Sequence, residues 1–356
     1  MHILLEGVIP LTIRLLLSHF TEDRHFFTLD NLNSRINGHN YNYQLTRTKP
    51  NIIYANQLST DDPSTKLKQT ASQMHVLLRL LPFYIHDYVD LDDEHWTLLK
   101  LLLAITSISF ASSVTVETVS DLKTKIAEYL TLFKKLFPDT PLTPKQHFLV
   151  HFPRFILTLG PLENLWAMRF EAKHQYFKEL RRVASYKNIT YSVMKRHLQK
   201  SCADRIGGYM WEDVQKGPLK GLVQFEGLLR SISGQVSLEI KDVTSVDSCR
   251  WIIINGTKYV CDECVVLIKD EDEDESTTFA QLTEMYILNI GLFVFAVIPL
   301  DTVCFDDDLQ SYEVQFIASS KVFTFPKDLA SYEALHIIDH KGKKYISPRG
   351  YLGDVV

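Results

Sequence analysis

The residues best placed to do chemistry lie between Pro144 and Asn188, in the run PKQHFLVHFPRFILTLGPLENLWAMRFEAKHQYFKELRRVASYKN. Winding Leu162–Ser185 as a helix at about 100° per residue puts Trp166, Phe170, Phe177, Leu180 and Ala184 in one apolar stripe. Glu171, His174, Lys178, Arg181 and Arg182 fall on the adjoining face, one carboxylate among four groups able to carry positive charge. Such a carboxylate can hold a hard divalent cation if others join it, or it can simply pair with His174 and Lys178 one helical turn away. The stretch Lys173, Lys178, Arg181, Arg182, Lys187, Lys195, Arg196 and Lys200 is opposed only by Glu171 and Glu179, with Tyr176, Tyr186 and Tyr191 interleaved. That density suits phosphate contacts, and it also suits a solvated pair of helices.

Two further patterns have metal-ligand spacing. His147 and His151 stand one helical turn apart, but no nearby residue supplies a third ligand, and Phe148, Leu149 and Val150 between them read as a buried helix. With Glu171 they would form a metal hydrolase only if the fold brought all three together. Cys261 and Cys264 have zinc-knuckle spacing without a second pair, and on a strand they would point to opposite faces unless a turn intervened. Five cysteines, an odd number, fit reduced thiols.

The elements that must position these groups change character along the chain. Residues 1–205 carry 25 Lys/Arg against 19 Asp/Glu, a balance of +6, whereas residues 206–356 carry 13 against 24, a balance of −11. The first part reads as helices over Lys66–Val89, His95–Ala111, Val119–Phe137, Pro144–Leu159, Leu162–Ser185 and Tyr191–Ala203, with Pro82 expected to kink or divide the first of them. His95–Ala111 is apolar nearly all round, which predicts burial on more than one side. Residues 37–64, rich in Asn, Thr, Asp and Pro, read as a long exposed loop. The apolar opening to Leu17 is interrupted by Glu6 and Arg14 and reads as a helix, neither signal peptide nor membrane span.

Beyond about residue 215 the period becomes two, with strands expected over Val236–Val243, Trp251–Ile254, Tyr259–Lys269, Phe279–Asn289, Leu292–Ile298, Tyr312–Ile317 and Leu335–Ile346. Asn255-Gly256 and Lys341-Gly342 mark hairpins, and the acidic run Asp270–Glu275 reads as a solvated loop. The expected fold class is α+β: a mostly α-helical region over 1–205, a linker over 206–235, and a small all-β barrel or sandwich over 236–356. Trp251, Tyr259 and Tyr286 would line a peptide groove in that β domain or, more simply, fill its core.

The segment GPLENLWAMRFEAKH resembles the motif around the final acidic residue of cut-and-paste DDE transposases of the CACTA group and their animal relatives. The opening His2 followed by LLEGVIP resembles their D-x-x-H-x-LLEGV segment, with the Asp falling before residue 1. Lys68–Pro82 and the PKQHFLVHFPR run resemble the stretches between these two, so the likeness covers most of residues 1–205 in the family's order. The resemblance implies a partial RNase H-like core with a helical insertion. Glu171 would be the third catalytic carboxylate, and His2 the histidine that orients the site. In an intact relative, three carboxylates hold two Mg²⁺ or Mn²⁺ ions for DNA strand cleavage and transfer. Here the first two Asp residues have no counterpart, and one carboxylate cannot hold two metals. The expectation is therefore a transposon-derived, nuclear protein that binds double-stranded DNA without cutting it and takes no cofactor as given, with self-association left open. The alternative is a non-enzymatic scaffold whose acidic β domain binds an unidentified protein tail.

Overall fold

The computed structural model describes residues 2–59, 65–166, 174, 176–180, 188–206, 214–220, 232, 243, 245–269, 277–289, 291–317 and 320–352. It has the α+β layout expected, helices first and antiparallel sheets after.

The first helix, α1 (Leu4–Asp23), is α-helical in its middle and widens to a π turn at each end, marked by Val8 N–H bonding Ile3 O and Arg24 N–H bonding His19 O, both at 2.9 Å. By length and composition α1 could cross a membrane, yet 67% of its most apolar stretch is buried inside the fold. The helices α2 (Leu29–Gly38), α4 (Ala71–Ile85), α5 (Glu94–Ser109) and α6 (Val116–Leu136) pack with it, and the short α3 (Asn42–Leu45) lies between α2 and α4. α4 opens on a capping box, Thr70 with Gln73, and runs through Pro82 to end within a turn of it. The expected division therefore does not occur, because the hydrogen bond that proline removes lies in a last turn held by buried neighbours.

α5 is the centre. Trp96, Leu98, Leu99, Leu102 and Ile105 are fully buried, as its unbroken apolar sequence predicts. Its two inward hydroxyls cost little, since Thr106 and Ser109 each donate to the carbonyl four residues back at 2.7 Å. Residues 37–59, the described part of the expected loop 37–64, are not exposed throughout. Tyr41, Ile53, Gln57 and Leu58 are buried in the helical core, and polar composition concealed this because the apolar residues are too few to show a period. The expected helix Pro144–Leu159 is divided into α7 (Pro144–Leu149) and α8 (Phe152–Leu159), the second beginning one residue before Pro153. Farther on, α9 spans Ile189–Ile206.

In the β region, β7 (Thr277–Leu288) and β8 (Phe293–Asp306) form the spine; β8 pairs with β7 up to Pro299 and with β9 from Leu300 onward, the second pairing shifting register between Thr302 and Cys304. The main path is β11-β6-β7-β8-β9-β13-β12, where β6 is Val265–Lys269, β9 Ser311–Phe316, β11 Leu329–Leu335, β12 Ile337–His340 and β13 Lys343–Ile346. A three-stranded sheet joins β1 (Val214–Lys216), β4 (Trp251–Ile254) and β5 (Thr257–Val260). Among the described strands the path stays open. In β6, Val266 and Ile268 face the core shared with β4 and β5, while Val265 and Leu267 face another. Burial on both faces explains a continuous apolar run in an antiparallel strand. Both hairpin signals hold: Asn255-Gly256 (φ 50°, 82°) joins β4 to β5, and Lys341-Gly342 (φ 50°, 80°) joins β12 to β13. The strand expected over Val236–Val243 lies, except for Val243, outside the described residues, as does the acidic run Asp270–Glu275.

The helical core extends into the β region. Leu309, Ile338 and Tyr345 belong to the helical cluster. Trp96 Nε1 donates to Asp308 Oδ1 at 3.1 Å, Lys100 Nζ reaches Asp307 and Asp308 at 2.8 and 3.1 Å, and Tyr351 N–H bonds Ser107 O at 2.9 Å. A methyl group on Gly350 would lie 2.3 Å from Phe110 O, so this approach requires glycine. Gly350→Ala is expected to lower stability by about 1–3 kcal/mol, seen as a lower denaturation midpoint monitored in both helix and sheet signals.

Three histidines at or beside this seam are held neutral. Burial first, then neighbouring positive groups, pushes His39 down to about 4 and His336 down to about 3, and drives His75 well below its ordinary value. Their folded values lie below the ordinary 6.5, so in the window from there to about 4 the unfolded chain binds protons that the folded chain refuses. Stability should therefore fall as pH drops through that window, by up to about 4 kcal/mol per pH unit if all three act. In urea titrations at several pH values, His336→Gln should reduce that slope by about a third.

Candidate nucleic-acid interface and neighbouring clusters

Of the basic residues singled out in sequence, Lys178, Lys195, Arg196 and Lys200 are described, and all are exposed. Lys178 stands on the helical residues 176–180, and the other three on α9. The Tyr176 and Phe177 rings lie 5.7 and 5.3 Å from the His197 ring, joining the two segments. Lys195 Nζ sits 6.0 Å from the Tyr191 ring, which is itself 66% exposed. Exposed Met194 and Leu198 continue along α9, so its outer side mixes cations with flat and apolar groups. Glu171, Lys173, Arg181, Arg182 and Lys187 lie outside the described residues.

The stripe that began at Trp166 is corrected. Leu162–Leu165 form a single tight turn and Trp166 is extended (φ −76°, ψ 147°), so it does not share a helix face with Phe177. Its ring lies instead 5.2 Å from that of Phe110, with the Arg349 guanidinium 4.9 Å above it. Tertiary packing there outweighs the helical period.

His2 is exposed, and its Nδ1 lies 2.5 Å from Glu6 Oε2 within the first turn. Lys145 on α7 donates to Glu6 O at 2.8 Å, and its side chain crosses Gly7. The LLEGV and PKQH segments therefore touch, though 139 residues separate those two partners. His147 and His151 approach to 3.3 Å between Nε2 atoms. The burial expected around them is found only at Leu149: Phe148 and Val150 are 47% and 51% exposed. No third ligand joins the pair among the described residues.

A turn does intervene between Cys261 and Cys264, but the result is a packed corner. Cys264 Sγ accepts from Val260 N–H at 3.1 Å and lies 2.6 Å from Tyr43 OH, while Cys261 Sγ faces Cys249 O at 3.6 Å. Burial pushes the Cys261 thiol up to about 12, with Asp262 adding to it, and raises Cys264 too. Tyr259 and Tyr286, considered as groove residues, are 0% and 6% exposed and fill the core, while Trp251 is half-buried over Gly217 with Lys258 Nζ 5.0 Å from its ring.

One cluster escaped sequence reasoning. Asp93 caps α5 by accepting from His95 N–H at 2.9 Å, its Oδ1 lies 2.8 Å from His95 Nδ1, and its Oδ2 lies 3.3 Å from His19 Nε2. Asp23 Oδ2 lies 3.2 Å from the other nitrogen of His19, and Arg24 Nε lies 3.7 Å from Asp93. The His19 and His95 rings stack at 3.5 Å with planes 13° apart. A ligated metal lies in the plane of its imidazole, and two parallel planes cannot share one ion, so as arranged this is a hydrogen-bonded cap. Burial opposes the charge on Asp93, but the backbone and the two histidines outweigh it and hold the carboxyl below its usual range. His19 and Asp93 are 74 residues apart, and Asp93-x-His95 reads locally as a helix cap. No family model, curated protein or solved structure matches the chain. Asp93→Ala should cost about 2 kcal/mol, a lost cap plus unpartnered imidazoles, read as a fall in melting temperature at pH 7.

Proposed function

We propose that the chain is a transposon-derived protein that binds duplex DNA through the surface carrying Lys178, Lys195, Arg196 and Lys200, without carrying out strand cleavage by itself. The observation that carries this reading is that each described cation of the basic stretch is exposed, on two segments joined through His197. Tyr191 stands among them as a flat group able to pack on a sugar or base. The contact between the two transposase-like segments, through Lys145 and Glu6, is consistent with that kinship. In an intact relative the metal would be Mg²⁺ or Mn²⁺, held by two aspartates together with the residue matching Glu171. Glu171 lies outside the described residues, and His2 Nδ1 lies 2.5 Å from Glu6 Oε2. DNA binding would place the protein in the nucleus.

The test is fluorescence anisotropy with a mixed-sequence duplex from about 50 to 200 mM salt, the range over which phosphate contacts weaken steeply. Wild type should bind with little sequence preference. Changing Lys178, Lys195, Arg196 and Lys200 together to Ala should flatten the log–log salt slope by roughly 3–4, about 0.9 per lost phosphate contact. An unchanged slope in a variant with wild-type circular dichroism, or no wild-type binding at the lowest salt, removes DNA binding from the account.

A further inference from the structure

A cavity of about 600 Å³ opens between α4, α5 and α6 on one side and the β8–β9 turn and the residues after β13 on the other. That size suits a small organic ligand. Its wall carries four cations, Arg79, Lys100, Lys125 and Arg349, against two anions, Asp121 and Asp307, a balance of +2. The lysines are spoken for: Lys100 pairs with Asp307 and Asp308, and Lys125 with Asp121. The arginines are not. Arg79 donates to the Ser347 carbonyl, and neither arginine has a carboxylate within ion-pair distance among the described residues. Nε of Arg79, Nε of Arg349 and Nε2 of His75 are all buried without a hydrogen-bond partner, and all three side chains line the cavity.

Buried polar nitrogens without an acceptor cost free energy, and here three of them belong to side chains that line one cavity. Glu333 is not among the cavity's lining residues; its Oε1 accepts from the Arg349 backbone N–H at 3.0 Å, and its carboxylate acts electrostatically on both arginines. The remaining surface is apolar, including Leu101, Phe305 and Tyr351. Trp166 lies under the Arg349 guanidinium and holds its plane. A planar fork presents paired donors that match a tetrahedral oxyanion better than a point charge would.

We infer that this cavity binds a small phosphomonoester, its dianionic head between Arg79 and Arg349 and its apolar or aromatic body against Leu101, Phe305 and Tyr351. The two guanidiniums and the wall balance of +2 favour a dianion over a monocarboxylate. The site is independent of the basic surface on α9, and neither reading needs the other.

Isothermal titration of the full chain at pH 7.5 tests it with adenosine 5′-monophosphate, adenosine and inorganic phosphate as probes. The monophosphate should bind saturably at one site and raise the melting temperature. Inorganic phosphate should bind more weakly, and adenosine should show no saturable heat. Arg349→Gln should weaken the monophosphate at least about tenfold, the loss of one charged hydrogen-bonding partner. Arg79→Lys, which keeps the charge and loses the fork, should also weaken it. Absence of saturable binding by both the monophosphate and phenyl phosphate at millimolar concentration overturns the inference. Equal binding of adenosine and its monophosphate by wild type does the same, whatever the variants do, because the cavity would then be reading the body alone.

Discussion

The structure depends on burying α5 on more than one side. A helix apolar nearly all round cannot be satisfied by other helices on one flank, and the β8–β9 turn and the β12–β13 hairpin cover part of the rest. Leu309, Ile338 and Tyr345 enter the helical cluster from the β region, and Asp308 takes the indole N–H of Trp96 so that its full burial leaves no polar atom unmatched. Removal of the β region would leave those surfaces facing water, and the cost scales with the apolar area uncovered. The opposite net charges of the two halves thus coexist with a helical core that takes in residues of both.

That seam is unusual in how many ionisable groups it holds. His39, His75 and His336 stay neutral because burial and adjacent cations disfavour their charged forms. Arg79 is drawn down to about 10 by burial, offset by Glu333 and reinforced by Arg349. It keeps some accessible surface because that surface opens into the cavity. A purely structural seam would be expected to use apolar pairs, since a buried charge stabilises only when well matched. The concentration of imperfectly matched cations in one place is the physical basis for assigning a ligand to it.

The clusters with metal-ligand spacing illustrate how little spacing settles. Cys261 and Cys264 have the sequence of a knuckle, yet each thiol is occupied by a local contact and raised by burial. His147 and His151 meet as helical geometry requires but recruit no third group among the described residues. His19, Asp93 and His95 meet from distant parts of the chain and point in directions that suit hydrogen bonds. Donor type and proximity are necessary for a metal centre, and the direction of the lone pairs decides it.

Periodicity alone determined the change from helix to strand near residue 215, the position of α6, the burial of α5 and both hairpin turns, because each follows from contacts between near neighbours in sequence. The turns were legible for the same reason: Asn-Gly and Lys-Gly tolerate the positive φ that a tight hairpin imposes. What only the tertiary structure decided involves partners far apart. Tyr41, Ile53 and Leu58 are buried despite a polar neighbourhood, Trp166 leaves its helical register to meet Phe110 and Arg349, and Arg79 and Arg349 converge on one cavity across 270 residues. Local pattern carries no information about which distant surface will supply a missing contact, and it is those contacts that make the seam and its cavity.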